Sequence, residues 1–103
     1  MGTGIQITTP VLKVLSTFLS DPKEELSGAE ISKRTGLKSG TLYPILIRLE
    51  TAKCLKSEWE AGDPKSLGRP RRRFYSITAI GARSAKAELK QFGAALGKLA
   101  WTF

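Results

Sequence analysis

The hydrophobic period of this chain changes twice, and the two changes limit the order of its elements. From Val11 to Leu49 apolar residues recur at three- and four-residue steps, the spacing of helices that bury one face. After Cys54 the segment Leu55-Lys-Ser-Glu-Trp59-Glu alternates, as a half-buried strand does. Arg72 to Ile77 is a second strand candidate, and helical spacing returns from Ala79 onward. A length of 103 residues fits one domain. A chain of this size buries about 65% of its extended surface, which supports one modest core and little room for a deep cleft.

Local signals divide the helical parts. Residues 1–8 lack helical periodicity and read as a flexible arm. Thr9 caps a first helix and Pro10 opens it, where a missing N–H costs nothing. That helix carries Val11, Leu12, Val14, Leu15, Phe18 and Leu19, and ends near Ser20-Asp21-Pro22. Ser27-Gly-Ala-Glu30 is a capping box for a second helix, Gly28 to Thr35, which Gly36 closes in the left-handed region. Leu37-Lys38 makes a tight turn. Ser39 then caps a third helix, Gly40 to about Ala52, with Leu42, Ile45, Leu46 and Leu49 inward and Pro44 bending its start. Residues 61–70 are turn-rich, so the two strands form a hairpin with a basic tip. Thr78 caps a fourth helix, Ala79 to Trp101.

Chemistry is limited by what the chain lacks. It contains no histidine and one cysteine, Cys54. That removes Ser-His-Asp and Cys-His catalysis, His-ligated metal sites and an internal disulfide. No Gly-rich phosphate loop is visible, so no enzyme, metal or cofactor is expected. No run of apolar residues is long enough for a membrane span and no secretory signal is visible, which points to the cytoplasm, in association with the nucleoid. Lys and Arg number 17 against 9 Asp and Glu, a formal net charge of +8. A small basic domain points to a polyanionic partner.

Helix, short helix, tight turn, helix and basic hairpin is the order of a winged helix-turn-helix. The expected class is mostly α with a small β-hairpin, an α+β fold with a long C-terminal dimerisation helix. In such a motif the second helix enters the major groove by its N-terminal residues. Here those are Lys38, Ser39, Gly40, Thr41, Tyr43 and Pro44, with Arg48 directed at phosphate. Gly40 lets a backbone approach closely, and Tyr43 offers a ring to a thymine methyl. The bland alternatives are a core aromatic at Tyr43 and a solvated charge at Arg48. Between Gly62 and Arg73 stand Lys65, Arg69, Arg71, Arg72 and Arg73 against Asp63 alone. Cations so close repel unless an anion arrives, which suits Lys65, Arg69, Arg71 and Arg72 to phosphates or a minor groove.

The run Leu26-Ser-Gly-Ala-Glu-Ile-Ser-Lys-Arg-Thr-Gly-Leu-Lys-Ser-Gly-Thr-Leu-Tyr-Pro-Ile-Leu-Ile-Arg-Leu-Glu50, followed by Gly68-Arg-Pro-Arg-Arg-Arg-Phe-Tyr-Ser-Ile-Thr78, resembles the PadR transcriptional regulators. The resemblance spans about residues 9–83. It implies a winged-helix DNA-binding domain, usually a repressor, acting as a dimer. It carries over onto Ser39, Gly40, Thr41, Tyr43 and Pro44 for recognition and Arg69 to Arg72 for the wing. Two features depart from the family. Lys53 stands where the family often has glycine, and one helix alone follows the wing, as in the short branch.

Residues 9–78 thus form the DNA-binding unit and 79–103 a dimerisation helix. About 23 helical residues span roughly 34 Å, longer than so small a domain is wide. The helix nevertheless stays apolar at Ala82, Ala85, Leu89, Phe92, Leu96, Leu99 and Phe103, a heptad seam. Gly93 and Gly97 weaken it by about 1 kcal/mol each unless a partner packs closely. The expected homodimer interface joins Leu12 and Leu19 to Leu89, Phe92, Leu96 and Leu99, and a dimer implies a pseudo-palindromic duplex. Three other functions compete: a sensor of flat hydrophobic molecules at the dimer interface, a non-specific architectural DNA-binding protein, and an adaptor whose basic loop binds an acidic protein. A small-molecule effector is permitted by these residues but not indicated by them.

Overall fold

The computed structural model describes residues 7–102, with side chains described as far as Gly93. The elements follow in the order α1 (Thr9–Ser20), β1 (Leu26–Ser27), α2 (Gly28–Thr35), α3 (Ser39–Thr51), β2 (Leu55–Trp59), α4 (Pro64–Leu67), β3 (Arg73–Ile77) and α5 (Ala79–Thr102). The expected hairpin is β2 with β3, but the sheet has a third strand. Its order is β1-β3-β2, antiparallel throughout, with Leu26 opposite Tyr75 and Leu55 opposite Ile77. Two residues of β1 are too few to display an alternating pattern, so periodicity could not reveal it. The four-residue α4, capped by Asp63 and closed by Gly68 at φ 70°, likewise lies inside the loop read as turns.

Two boundaries shift by one residue. The cap of α1 is Thr8, whose hydroxyl accepts from Val11 N–H at 3.4 Å. Ile7 packs on the core. The expected arm of residues 1–8 therefore gives up its last two residues to the domain, and residues 1–6 lie outside the described part. The cap of α3 is Lys38 rather than Ser39, with no side-chain bond to the first turn. Ser27 forms the hydroxyl half of the capping box, accepting from Glu30 N–H at 3.2 Å. The Glu30 carboxylate faces Arg34 at 3.8 Å.

The helical stripes converge as their spacing requires. Phe18 and Val14 of α1, Ile31 of α2, Leu42 and Leu46 of α3 and Leu55 of β2 are fully buried together. Each such side chain contributes about 1.5–3 kcal/mol of transfer free energy. The sheet covers this core only at one end. Leu55 is buried, Ser57 half-buried and Trp59 exposed, so the strand pair leaves the core as it runs toward the wing tip.

One junction ties these parts together. Lys53 leaves α3 in the left-handed region at φ 64°, the only non-glycine residue described there. Cys54 N–H then donates to Leu49 O at 2.8 Å. Thr78 donates its N–H to Cys54 O at 3.0 Å and its hydroxyl to Lys53 O at 2.6 Å. The same hydroxyl accepts from Gly81 N–H at 3.0 Å, which caps α5 as the sequence predicts. A Cβ on Gly81 would fall on the Cys54 carbonyl, so α5 can start against that turn only with glycine at position 81.

Twenty-four residues of α5 extend about 36 Å, past the 26 Å and 22 Å short dimensions of the molecule. Its first turns belong to the chain's own core: Ala85 is buried and Ala82 packs on the cluster. Leu89 is half-buried, and Lys90 to Gly93 are all exposed. The seam read as one interface is thus divided. Leu19, expected at the dimer interface, also packs on the core of its own chain, because the last turn of α1 faces inward there. The expected positions Leu96 and Leu99 lie outside the described side chains.

The junction yields substitutions of opposite sign. Lys53→Gly relieves a left-handed conformation that costs a side-chain-bearing residue about 1–2 kcal/mol, partly offset by the freer unfolded chain. A net gain of roughly 0.5–1 kcal/mol is expected. Gly81→Ala drives a methyl into backbone and should lose about 3 kcal/mol or more. Urea unfolding midpoints of the two variants against the native chain check both signs.

Candidate nucleic-acid interface

The outward side of α3 is built from small and polar residues because its other side is committed to the core. Leu42, Ile45, Leu46 and Leu49 are buried, while Ser39, Gly40, Thr41, Tyr43, Pro44, Ile47 and Arg48 are exposed. Lys38 is exposed at the cap. No side chain caps the first turn of α3, and a helix N-terminus of this kind attracts anions. Nothing within 4 Å of a Cβ built on Gly40 requires glycine there. The fold therefore gives no internal reason for that residue. Ile47, 62% exposed, was missed in the sequence; in the apolar run Ile45-Leu46-Ile47 only helical phase distinguishes it.

Tyr43 is 43% exposed, and its ring lies over α2. A Cβ on Gly28 would meet the Tyr43 hydroxyl and ring carbons, so glycine at that position makes room for the ring. Tyr43 is thus neither a core aromatic nor a freely projecting side chain. Gly28 and Tyr43, with Trp59, Arg71, Arg73 and Tyr75, line a cleft of about 400 Å3 between α3 and the wing. Burial raises the Tyr75 hydroxyl above its ordinary pKa.

The wing separates the basic residues into two groups. Lys65, Arg71 and Arg72 are exposed. Arg69 is engaged within the chain. Its guanidinium makes a bidentate pair with Glu60, 2.6 Å to Oε1 and 2.9 Å to Oε2, and donates to Pro70 O at 3.2 Å. Glu60 also accepts from Arg72 N–H at 3.3 Å, while its own N–H donates to Arg72 O at 2.7 Å. Of the four wing cations expected at phosphates, Arg69 alone is thus paired with a carboxylate of its own chain. The sequence balance weighed the loop from Gly62 onward, and the partner carboxylate stands two residues before it.

Arg73 is also engaged. It lies 5.1 Å from the Trp59 ring centre, donates to Ser57 Oγ at 2.8 Å and stands 3.4 Å from Glu50 of α3. No spacing rule joins Glu50, Ser57, Trp59 and Arg73; the sheet register brings them together.

A second groove is lined by other residues. Leu12, Lys13 and Ser16 of α1, Arg34 of α2 and Leu89 and Phe92 of α5 line a groove of about 400 Å3. Arg34 is held there by a bidentate pair to Glu24 at 2.7 and 3.1 Å. The hydrogen bonds to Arg34 lower the Glu24 carboxyl from its ordinary pKa. Among the described residues no His, Cys, Asp and Glu cluster could hold a metal, and no helix is long and apolar enough to cross a membrane.

A helix-turn-helix followed by a three-stranded sheet with a basic loop defines a winged-helix domain. Residues 23–87 match the model of the transcriptional regulator PadR-like family, and the chain belongs to that family. That family is one of transcriptional regulators, and the chain has its winged-helix fold. Solved structures agree on the fold. A PadR family regulator from Eggerthella lenta is 28% identical with a TM-score of 0.68, over 87% of this chain and 82% of that one. A PadR-like regulator from Bacillus cereus is 22% identical with a TM-score of 0.68, over 87% and 86%. A Staphylococcus aureus MepR mutant bound to oligodeoxyribonucleotide is 20% identical with a TM-score of 0.69, over 94% of this chain. The chain spans only 66% of the length of that MepR protein. Among curated proteins no relative matches.

The Glu60–Arg69 pair has a direct spectroscopic consequence. Hydrogen bonds from Arg69 and then from Arg72 N–H hold the Glu60 carboxyl well below its ordinary range, at about 2. A lowered folded-state pKa means that the pair's stabilisation is complete above the ordinary carboxyl pKa and is lost as pH falls toward 2. A carbon-detected NMR titration should find the Glu60 midpoint near 2. Arg69→Gln should return it toward about 4.3.

Proposed function

We propose that this regulator is a dimeric, sequence-specific repressor of double-stranded DNA. The carrying observation is that Tyr43 of α3 and the exposed wing cations Arg71 and Arg72 line one cleft. On this reading Ser39, Gly40, Thr41, Tyr43 and Pro44 meet base edges and sugar in the major groove. Lys38 and Arg48 meet phosphates beside them. Arg71, Arg72 and Lys65 meet phosphates or the minor groove alongside. The proposed dimer uses the groove of Leu12, Leu89 and Phe92 and the exposed continuation of α5. Two features support it: Phe92 is 45% exposed, and Gly93 has open space where a Cβ would stand. A two-fold dimer would bind a pseudo-palindromic operator. Selection of bound sequences from a random duplex pool tests specificity, symmetry and half-site spacing together; recovery of unrelated sequences would overturn the reading in favour of an architectural role.

The groove also favours a second reading. An apolar floor of Leu12, Leu89 and Phe92 of this volume suits a flat hydrophobic molecule. Binding of an aromatic dye, read from the dye's own emission, lost in Leu89→Ala and accompanied by release of DNA, would support the sensor. A dye that binds equally to Leu89→Ala would remove it.

Gly40 separates stability from function. Gly40→Ala meets no atom of its own chain and should stabilise the helix by about 0.5–1 kcal/mol. The same methyl intrudes where the duplex comes close, so affinity for the selected operator should fall at least tenfold. Thermal unfolding and a fluorescence-anisotropy titration on one preparation check the opposite signs.

Dimerisation has its own test. Native protein at micromolar concentration is expected to sediment as a dimer. Phe92→Glu places a charge against the apolar groove and should give a folded monomer.

A further inference from the structure

The sign of charge near DNA makes the Glu60–Arg69 pair informative. A carboxylate on a wing that faces phosphates repels the ligand, and neutralising it should tighten binding. Glu60 nevertheless stands at the base of the wing and accepts three hydrogen bonds: two from the Arg69 guanidinium and one from Arg72 N–H. Its backbone N–H closes the same ring of contacts on Arg72 O at 2.7 Å. Exposed ion pairs generally contribute little, but bidentate geometry within a network is the exception.

The local chain explains what this arrangement does. From Ala61 to Arg72 the backbone leaves the sheet, makes the single turn of α4 and returns through Gly68 and Pro70. Every residue of that return from Gly68 to Arg72 is exposed except Arg69, which is half-buried. No core side chain is available to position it. Glu60 supplies the anchor instead, gripping the return strand at Arg69 and at the Arg72 amide. Arg71 lies between the two grips, with its side chain on the cleft that Tyr43 and Trp59 line.

We infer that Glu60 and Arg69 form a positioning latch, which orders Arg71 and Arg72 for phosphate before DNA arrives, and that Arg69 is not itself a phosphate contact. This deepens the DNA-binding reading and rests on it. The latch accepts an unfavourable charge in exchange for a loop whose ordering cost is met on folding rather than on binding.

Pure electrostatics and the latch predict opposite results. Glu60→Ala removes a negative charge, so without a latch the affinity for the selected operator rises. With the latch it falls, by roughly three- to tenfold, because the loop must be ordered during binding. Arg69→Gln separates the two roles of the arginine. As a phosphate contact its loss from both protomers would make the slope of log K against log salt shallower by about 1.8. As a latch its loss lowers affinity and leaves the slope near native, whereas Arg71→Gln flattens it by about 1.8. The experiment is a salt series on one operator duplex with the native chain and these three variants, far-UV dichroism verifying that each is folded. Tighter or unchanged binding by Glu60→Ala, or a flattened slope for Arg69→Gln, overturns the latch.

A readout without DNA distinguishes this from failure of the DNA reading. Native-state exchange of the Arg72 amide should accelerate at least tenfold in Glu60→Ala, with amides of α3 unaffected. Equal exchange in both proteins overturns the latch whether or not a duplex binds. If the native chain selects no duplex while Arg72 exchange responds as expected, the DNA reading fails and the ordering of the wing by Glu60 stands.

Discussion

The close approach of α5 to the Lys53–Cys54 turn governs the arrangement of the whole domain. The carbonyl oxygens of those two residues accept three hydrogen bonds from Thr78. The same threonine hydroxyl begins α5 by accepting from Gly81 N–H. A single residue thereby ties the turn after α3 to the end of β3 and the start of the long helix. Gly81 lies directly against the Cys54 backbone, with no room for a side chain between them.

The wing is stabilised by a different kind of interaction. Beyond Ser57 no apolar core remains, and polar contacts take over. Arg73 bridges Glu50 at the end of α3, Ser57 on β2 and the face of Trp59. Glu60 and Arg69 continue that pattern outward. The arginines of this loop therefore differ by position rather than by type. Arg69 and Arg73 brace the loop, whereas Arg71 and Arg72 remain exposed. Their separation arises from the two carboxylates, Glu50 and Glu60, which neutralise the bracing pair. Excess positive charge is left on the neighbouring residues.

The sequence conveyed the helical part well, because caps and period agree there. Ser27, Gly36 and Thr78 each occupy the terminus that their chemistry implies. The four inward residues of α3 are those its spacing selects. What escaped depends on contacts distant along the chain. The two residues of β1 become a strand only because Tyr75 and Phe74 lie beside them. Arg69 read as a ligand-seeking cation because its partner stands nine residues away across a loop. Leu19 read as surplus apolar surface because a helical stripe does not reveal how far round the helix its own core extends. Lys53 was recognised as a departure from glycine; its positive φ supplies the physical reason for that preference.

Gly28 and Tyr43 form a lock whose consequence is evolutionary. The ring occupies the space that any side chain at Gly28 would need. A side chain at position 28 would therefore have to displace the outer edge of the Tyr43 ring. A lineage that exchanged Tyr43 for a smaller residue would release position 28 from selection, and a methyl arriving there would then bar the way back to tyrosine. Changes at this residue would behave as a ratchet, and descendants should carry the two positions as a linked pair.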